Sequence, residues 1–328
     1  MYNVCMKTLP HIQDLRRILV LRGDGFLADA IISSCCYREL KKANPNLKIT
    51  VACFGPAYEL FKNNSYVDRV VKLPVKALKE EKVTFQLLRK ALKLRLKKFD
   101  LVLDSSNKDF FAWRLFKKIV GGDRLLDAST SPVQPFGAPD QHGSVHEQTI
   151  LRQLGVENPD KSYDLPVAAG SRQRVEKWLE KISLQKYILF NPFGSEPMRR
   201  LRAETMKEIC VSFRRLGLAF VVPAKPQDFA QLTRIFEQDK DVFVGEIVEP
   251  SELFELVRLS ALVVSTDSSV VHIASGFEKP GLFFYHQPTT FTAPDNPKAV
   301  VLQTKPEDIN LFDWWKLNYS VDSFQEKI

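Results

Sequence analysis

Two kinds of hydrophobic pattern take turns along this chain. Short unbroken apolar runs, such as Arg17–Leu21 (RILVL) and Tyr187–Phe190 (YILF), are separated by longer stretches whose apolar residues recur at helical spacing. Runs that are apolar on both faces suit strands of a parallel sheet covered on both sides. The first half predicts strands at Arg17–Leu21, Leu47–Phe54, Arg69–Leu73 and Leu101–Leu103, with helices over Ala28–Lys42, Ala57–Asn63, Phe85–Lys98 and Phe110–Val120. Pro and Gly crowd Ser129–Ser144, which predicts a long loop before a helix at His146–Leu154. The rhythm then resumes, with strands at Tyr187–Phe190, Ala219–Val222, Asp241–Val244, Leu262–Val264 and Leu282–Tyr285. Helices are predicted at Gln173–Lys181, Ala203–Leu216, Phe229–Gln238, Ser251–Ser260, Ser269–Phe277 and Asp308–Leu317. Alternation of this kind predicts an α/β chain of two doubly wound halves. The expected division is an N-terminal domain over 1–160, a linker and connecting helix over 161–185, and a C-terminal domain over 186–328. The last helix is available to pack back on the first domain. Doubly wound sheets bind ligands at the carboxyl ends of their strands, so the crevice between the halves is the expected site.

Composition adds what the pattern cannot. With 328 residues, 45% hydrophobic and 26% charged, the chain can bury a large core. No apolar run approaches the roughly 20 residues of a membrane-spanning helix. The start, Met1–Arg17, lacks the apolar core of a secretion signal, so a cytoplasmic protein is expected. The five cysteines are odd in number and form no CxxC, which predicts reduced thiols rather than a metal or redox site. The net charge of +8 points to an anionic partner.

Four segments carry candidate chemistry. Gly23-Asp24-Gly25-Phe26-Leu27-Ala28 fits a GxGxx[GA] dinucleotide turn, but Ile49–Phe54 ends without the acidic residue such a site uses on the ribose. A tight strand-to-helix turn explains the glycines as well. Asp29 follows, at the start of the first helix; it suits a general base on a sugar hydroxyl, or a helix start stabilised by negative charge. Asn191-Pro192-Phe193-Gly194-Ser195, then Arg199, Arg200 and Arg202, suits a diphosphate held by backbone N–H groups and guanidiniums, or a solvated basic loop. Ser265-Thr266-Asp267-Ser268-Ser269, opening a helix that carries His272, offers hydroxyls and N–H groups to phosphate, or an ordinary N-cap. Asp239-Lys240-Asp241 falls between a helix end and a strand start, away from the strands' carboxyl ends, and no metal site is predicted.

The stretch Val75–Lys98 holds nine Lys and Arg against Glu80 and Glu81. It suits a solvated helix face or an anionic membrane surface. Aromatics that would stack single-stranded bases are sparse there, so nucleic acid is not expected.

Taken in order, these segments resemble glycosyltransferase family 9, the bacterial ADP-heptose:lipopolysaccharide heptosyltransferases. Ala28-Asp29 followed by Pro45, Tyr37-Arg38-Glu39-Leu40, and Ser144-Val145-His146-Glu147 are similar to the family's N-terminal segments. Asn191–Ser195 with Arg199 resembles its donor loop, and Val263–Ala274 resembles its V-V-S-x-D-[ST]-G-x-x-H-x-A block, followed by Pro280 and Pro288-Thr289. Ala28, Ser269, Leu201 and His286-Gln287 depart from the pattern.

The resemblance implies a GT-B architecture of two facing Rossmann-like, doubly wound domains, the acceptor in the N-terminal one and the nucleotide sugar in the C-terminal one. It implies inversion at the anomeric carbon without metal or cofactor, with Asp29 as base. Ser195, Arg199, Arg200, Ser268, Ser269 and His272 would hold the diphosphate, Asp267 the sugar hydroxyls, and the loop from Gly245 and Glu246 the nucleoside. Arg22, Lys76, Lys79 and Lys82 would contact the acceptor. The implied reaction moves heptose from ADP-heptose to the lipopolysaccharide inner core, Kdo-lipid A or the first heptose, at the inner face of the inner membrane. Another nucleotide sugar or acceptor, a nucleotide-sugar-binding protein without activity, and a nicotinamide oxidoreductase are the rival expectations. Oligomeric state is left open.

Overall fold

The computed structural model describes residues 10–23, 25–106, 110–127, 143–194, 196–286, 294–305 and 307–325. Asp24, Ser195, Cys5, most of the Ser129–Ser144 loop and Pro288-Thr289 lie outside them. The chain divides into two compact units, Met1–Asp164 and Leu165–Ile328.

The first unit is built on β1 (Arg17–Leu21), β2 (Lys48–Cys53), β3 (Arg69–Lys72), β4 (Leu101–Asp104) and β5 (Leu125–Asp127). All pair in parallel, in the order β3-β2-β1-β4-β5. The central strands are buried along almost their whole length, as their apolar runs require. Between the strands come α1 (Leu27–Ile32), α2 (Ser34–Ala43), α3 (Pro56–Lys62), α4 (Val75–Lys79), α5 (Phe85–Arg95) and α6 (Phe111–Gly121), and α7 (Gly143–Gln153) follows β5. Trp113 and Phe116 of α6 stack 5.3 Å apart in a core shared with Leu19, Val102 and Leu87.

The second unit carries α8 (Ala169–Lys181), β6 (Tyr187–Asn191), α9 (Ala203–Phe213), β7 (Ala219–Ala224), α10 (Pro226–Ile235) and β8 (Val242–Glu246). It continues through α11 (Pro250–Leu259), β9 (Leu262–Thr266), α12 (Ser269–Gly276), β10 (Gly281–Tyr285), β11 (Ala299–Gln303) and α13 (Trp314–Phe324). The parallel order is β11-β10-β9-β6-β7-β8. Pro226 and Pro250 open their helices at a position where no backbone N–H is needed. The last helix, α13, packs on α9 and β11 of its own unit.

Differences from expectation have local causes. The single helix over 28–42 is two, because the hydroxyls of Ser33 and Ser34 donate back to Ala30 O (3.2 Å) and Ile31 O (2.6 Å). The last helix begins at Trp314, where Asp313 accepts from the N–H groups of Trp315 and Lys316. Residues 308–310 instead form a turn closed on the Asp308 carboxylate. The pattern missed α4 and the short outer strands β5 and β11. Cys35, Cys36, Cys53 and Cys210 are buried and are in no disulfide.

Candidate functional site

Each sheet has one place where neighbouring strands lead their connections in opposite directions, and ligands favour that place. In the second unit it lies between β6 and β9, where Asn191 pairs in register with Ser265. The Asn191 amide donates to Ser265 Oγ and Ser268 Oγ, each at 3.0 Å. Ser268 is the N-cap of α12 and accepts from the Val270 N–H at 3.2 Å. One amide therefore ties the end of β6 to the start of α12. The Thr266 hydroxyl at the end of β9 is buried with no partner among the described residues.

The loop after β6 folds back on itself. Gly194 N donates to Arg199 O (2.8 Å) and Leu201 N to Pro192 O (3.0 Å). A Cβ on Gly194 would lie 2.5 Å from Arg199 Cβ and 3.0 Å from Asp267 O, so only glycine lets the loop pass this closely. Arg199 thereby reaches Asp267, Nη1 to Oδ2 3.0 Å, and also nears Glu196 at 3.5 Å. Burial pushes the Asp267 carboxyl up, and the Arg199 charge opposes that shift. His286, after β10, pins the same loop through Nε2 to Met198 O (2.6 Å).

The site residues expected from sequence divide accordingly. Arg199, Asp267, Ser268 and Ser269 gather around the start of α12, and His272 is buried within that helix. Arg200 turns elsewhere, to Asp228 and over the Phe193 ring, 3.9 Å from its centroid. Arg202 pairs with Asp308 at 3.1 Å. Gly245 and Glu246 are the last residues of β8, at the sheet's edge, where Gly245 packs against Trp178. The Asp239 and Asp241 carboxylates both hold Arg214, at 2.6 and 2.7 Å. His286 and Asp228 are not predicted as site residues, and Asn191 is expected as part of the donor loop with no role for its side chain. Only the position of Asn191 as the first polar residue after YILF could have pointed to it.

In the first unit the reversal lies between β1 and β4, where Leu21 pairs with Asp104. Arg22 continues β1 but is buried, and Nη1 donates to Ser105 Oγ at 3.2 Å. Asp104 accepts from Ser106 Oγ (2.6 Å) and Trp113 Nε1 (3.1 Å) and pairs with Lys117 at 2.9 Å. Burial pushes its carboxyl up against those partners. Asp29 is half-buried in the first turn of α1, where a negative charge is favoured. Glycines of the preceding turn are explained by packing. A Cβ on Gly23 would sit 2.7 Å from the Trp113 ring, and on Gly25, at φ +67°, 2.6 Å from the Phe54 ring. Lys76 and Lys82 are exposed and both approach Glu80, at 3.9 and 3.4 Å; Lys79 is exposed on α4.

The family model for glycosyltransferase family 9 (heptosyltransferase) matches residues 88–311. The chain belongs to glycosyltransferase family 9. The match begins inside α5 and takes in the whole β6–β9 site, while Asp29 falls before it. Among curated relatives, the "Putative lipopolysaccharide heptosyltransferase 4" of Escherichia coli (strain K12) is 25% identical over 310 residues, 88% of this chain and 78% of that protein. A glycosyl transferase family 9 structure from Veillonella parvula superposes with a TM-score of 0.80 at 16% identity, covering 97% of this chain and 99% of that one. The Escherichia coli ADP-heptose lps heptosyltransferase II follows with 0.73 at 17% identity, covering 94% and 98%. These superpositions show the GT-B fold. Family membership makes the chain a glycosyltransferase of the heptosyltransferase kind.

Proposed function

We propose that this family 9 enzyme transfers heptose from ADP-heptose to the lipopolysaccharide inner core, Kdo-lipid A or its first heptose, with inversion at the anomeric carbon. The observation that carries the reading is the Arg199–Asp267 pair beside the α12 N-terminus, at the reversal between β6 and β9. A guanidinium and the positive end of the α12 dipole offer the field that a leaving diphosphate needs, so the reaction is proposed to run without a metal ion. One structural relative carries ADP-heptose in its name, which supports the choice of nucleotide sugar.

In this mechanism the acceptor hydroxyl gives its proton to the Asp29 carboxylate. Its oxygen forms the new bond to the anomeric carbon. The bond from that carbon to the phosphate oxygen breaks, and ADP leaves with the electron pair. Arg199 and the Ser268–Ser269 helix start stabilise the charge that develops on the diphosphate. Asp267 is proposed to bind sugar hydroxyls, and Gly245 and Glu246 the nucleoside. Ser195 is proposed to add a hydroxyl to the phosphate, and Lys76, Lys79 and Lys82 to meet the acceptor where its lipid anchor joins the anionic membrane surface. The enzyme is proposed to work in the cytoplasm at the anionic inner-membrane surface. Among the described residues no helix is long and apolar enough to cross a membrane. The test is turnover of the purified protein with ADP-heptose and a panel of deacylated cores. No transfer to any core, with transfer from another nucleotide sugar, would overturn the donor assignment.

A further inference from the structure

α5 buries one side and leaves apolar residues on the other. Leu87, Ala91 and Leu94 face the core. Phe85, Leu92 and Leu96 are 80%, 55% and 80% exposed. At 100° per residue these three fall within about 40° of one another, on the side opposite the buried three. Leu96 keeps helical backbone angles as the C-cap, so it extends the same strip. Half-buried Leu88 borders it.

The strip is flanked by cations. Arg89, Lys93 and Lys97 step down one side at four-residue spacing, and Arg95 lies on the other, where its Nη1 donates to Ile119 O at 2.8 Å. Lys90 and Lys98 bring the cations between Phe85 and Lys98 to six, with no carboxylate in that span. A solvated surface helix explains the cations but not three large exposed apolar side chains in line. A core helix explains neither.

We propose that α5 lies in the interfacial plane of an anionic bilayer, with Phe85, Leu92 and Leu96 entering the acyl boundary and Arg89, Lys93 and Lys97 meeting lipid phosphates. An anionic bilayer supplies apolar and negative partners along one continuous plane, matching a strip bordered by cations on both sides. The long basic side chains can lay their stems along the acyl boundary and keep their charges among the headgroups. The assignment deepens the membrane partnership proposed above and rests on that reading for the anionic character of the surface. It differs in location and in kind, since Lys76, Lys79 and Lys82 belong to α4 and its following turn and act through charge alone.

The test is co-sedimentation of the full chain with vesicles of phosphatidylcholine, alone or rich in phosphatidylglycerol, with no nucleotide sugar present. The expected result is binding to the anionic vesicles that salt weakens but does not abolish. The triple variant Phe85→Ser, Leu92→Ser, Leu96→Ser should bind more weakly on the order of 10²-fold, because membrane affinity scales with buried apolar area. The variant Phe85→Leu, Leu92→Phe, Leu96→Phe should bind like wild type, since a bilayer reads apolarity and not shape. Phe85→Trp should add emission that brominated lipid quenches. Equal binding by wild type and the serine variant would overturn the insertion, as would added indole emission that stays unquenched when the Phe85→Trp variant is bound. Concentration-dependent self-association in sedimentation, lost in the serine variant and without vesicle binding, would reassign the strip to contact between copies. Transfer without vesicle binding would sink this proposal and leave the reaction standing. Vesicle binding without transfer would do the reverse.

Discussion

The Arg199 guanidinium lies 3.0 Å from the Asp267 carboxylate, at the point where the second sheet reverses direction. A diphosphate arriving there competes with Asp267 for the same cation. ADP should therefore raise the melting temperature by mass action. Arg199→Ala should weaken ADP binding by about 1.5–3 kcal/mol, the scale of a charged hydrogen bond. Equal thermal shifts in wild type and variant would remove Arg199 from the donor site.

The same competition predicts proton uptake. Burial already pushes the Asp267 carboxyl up; Arg199 and His286 oppose that shift and Glu196 adds to it. A bound diphosphate weakens the Arg199 contribution and raises the carboxyl further, so the complex holds more protons than the free protein. ADP affinity should fall as pH rises through the range in which Asp267 titrates. Calorimetry in buffers of different ionisation enthalpy reads the uptake directly, and Asp267→Asn should abolish it.

Asp29→Asn keeps size and removes basicity. Its kcat should fall on the order of 10²–10⁴-fold, the usual scale for a general base, with ADP binding unchanged. Asp24→Asn, five residues earlier in the sequence, should cost much less. Turnover that survives Asp29→Asn and is lost in Asp24→Asn would move the base to that position.

Much of the fold was legible because parallel strands buried on both faces must be written as apolar runs. RILVL and YILF become β1 and β6 with at most one residue of difference. The outer strands escaped: β5 is only three residues long, and β11 is half-exposed although Ala299–Leu302 is itself an apolar run. The site was legible in its backbone and less so in its side chains. Arg199 and Arg200 are neighbours in sequence, yet one ends a tight helical turn and the next is extended, so their guanidiniums reach Asp267 and Asp228 respectively. Arg22 reads as a cation at a strand's end, but the Ser105 hydroxyl that accepts from it lies 83 residues away. No local pattern encodes a partner at that distance.

Reversing Lys76, Lys79 and Lys82 to Glu should reduce activity on a lipid-linked acceptor more than on a soluble core fragment. Each well-placed cation is worth about 1 kcal/mol near an anionic surface. An equal fall on both acceptors would place these lysines in the reaction or in folding instead.

Acid stability offers a separate check on the second unit. Hydrogen bonds from Arg214 hold the Asp241 carboxyl below its ordinary value. A depressed carboxyl contributes stability above its unfolded value, near 3.9, that is lost as pH falls through the folded one. Urea denaturation should show Arg214→Ala less stable than wild type at neutral pH, with the gap closing below about pH 4. A gap independent of pH would mean that the guanidinium acts by packing alone.

The buried cysteines turn the two units into separately timed objects. Cys35, Cys36 and Cys53 sit inside the first unit and Cys210 inside the second, all outside any disulfide and shielded from solvent. A thiol reagent can meet them only when the surrounding structure opens, so labelling rates report opening free energies rather than surface chemistry. Burial also pushes the Cys210 thiol up, keeping it unreactive until its unit opens. In a Cys5→Ser background, mass spectrometry of labelled peptides would clock each half of the enzyme in one tube. A nucleotide held by the second unit should slow the Cys210 clock and leave the other three running at their own pace.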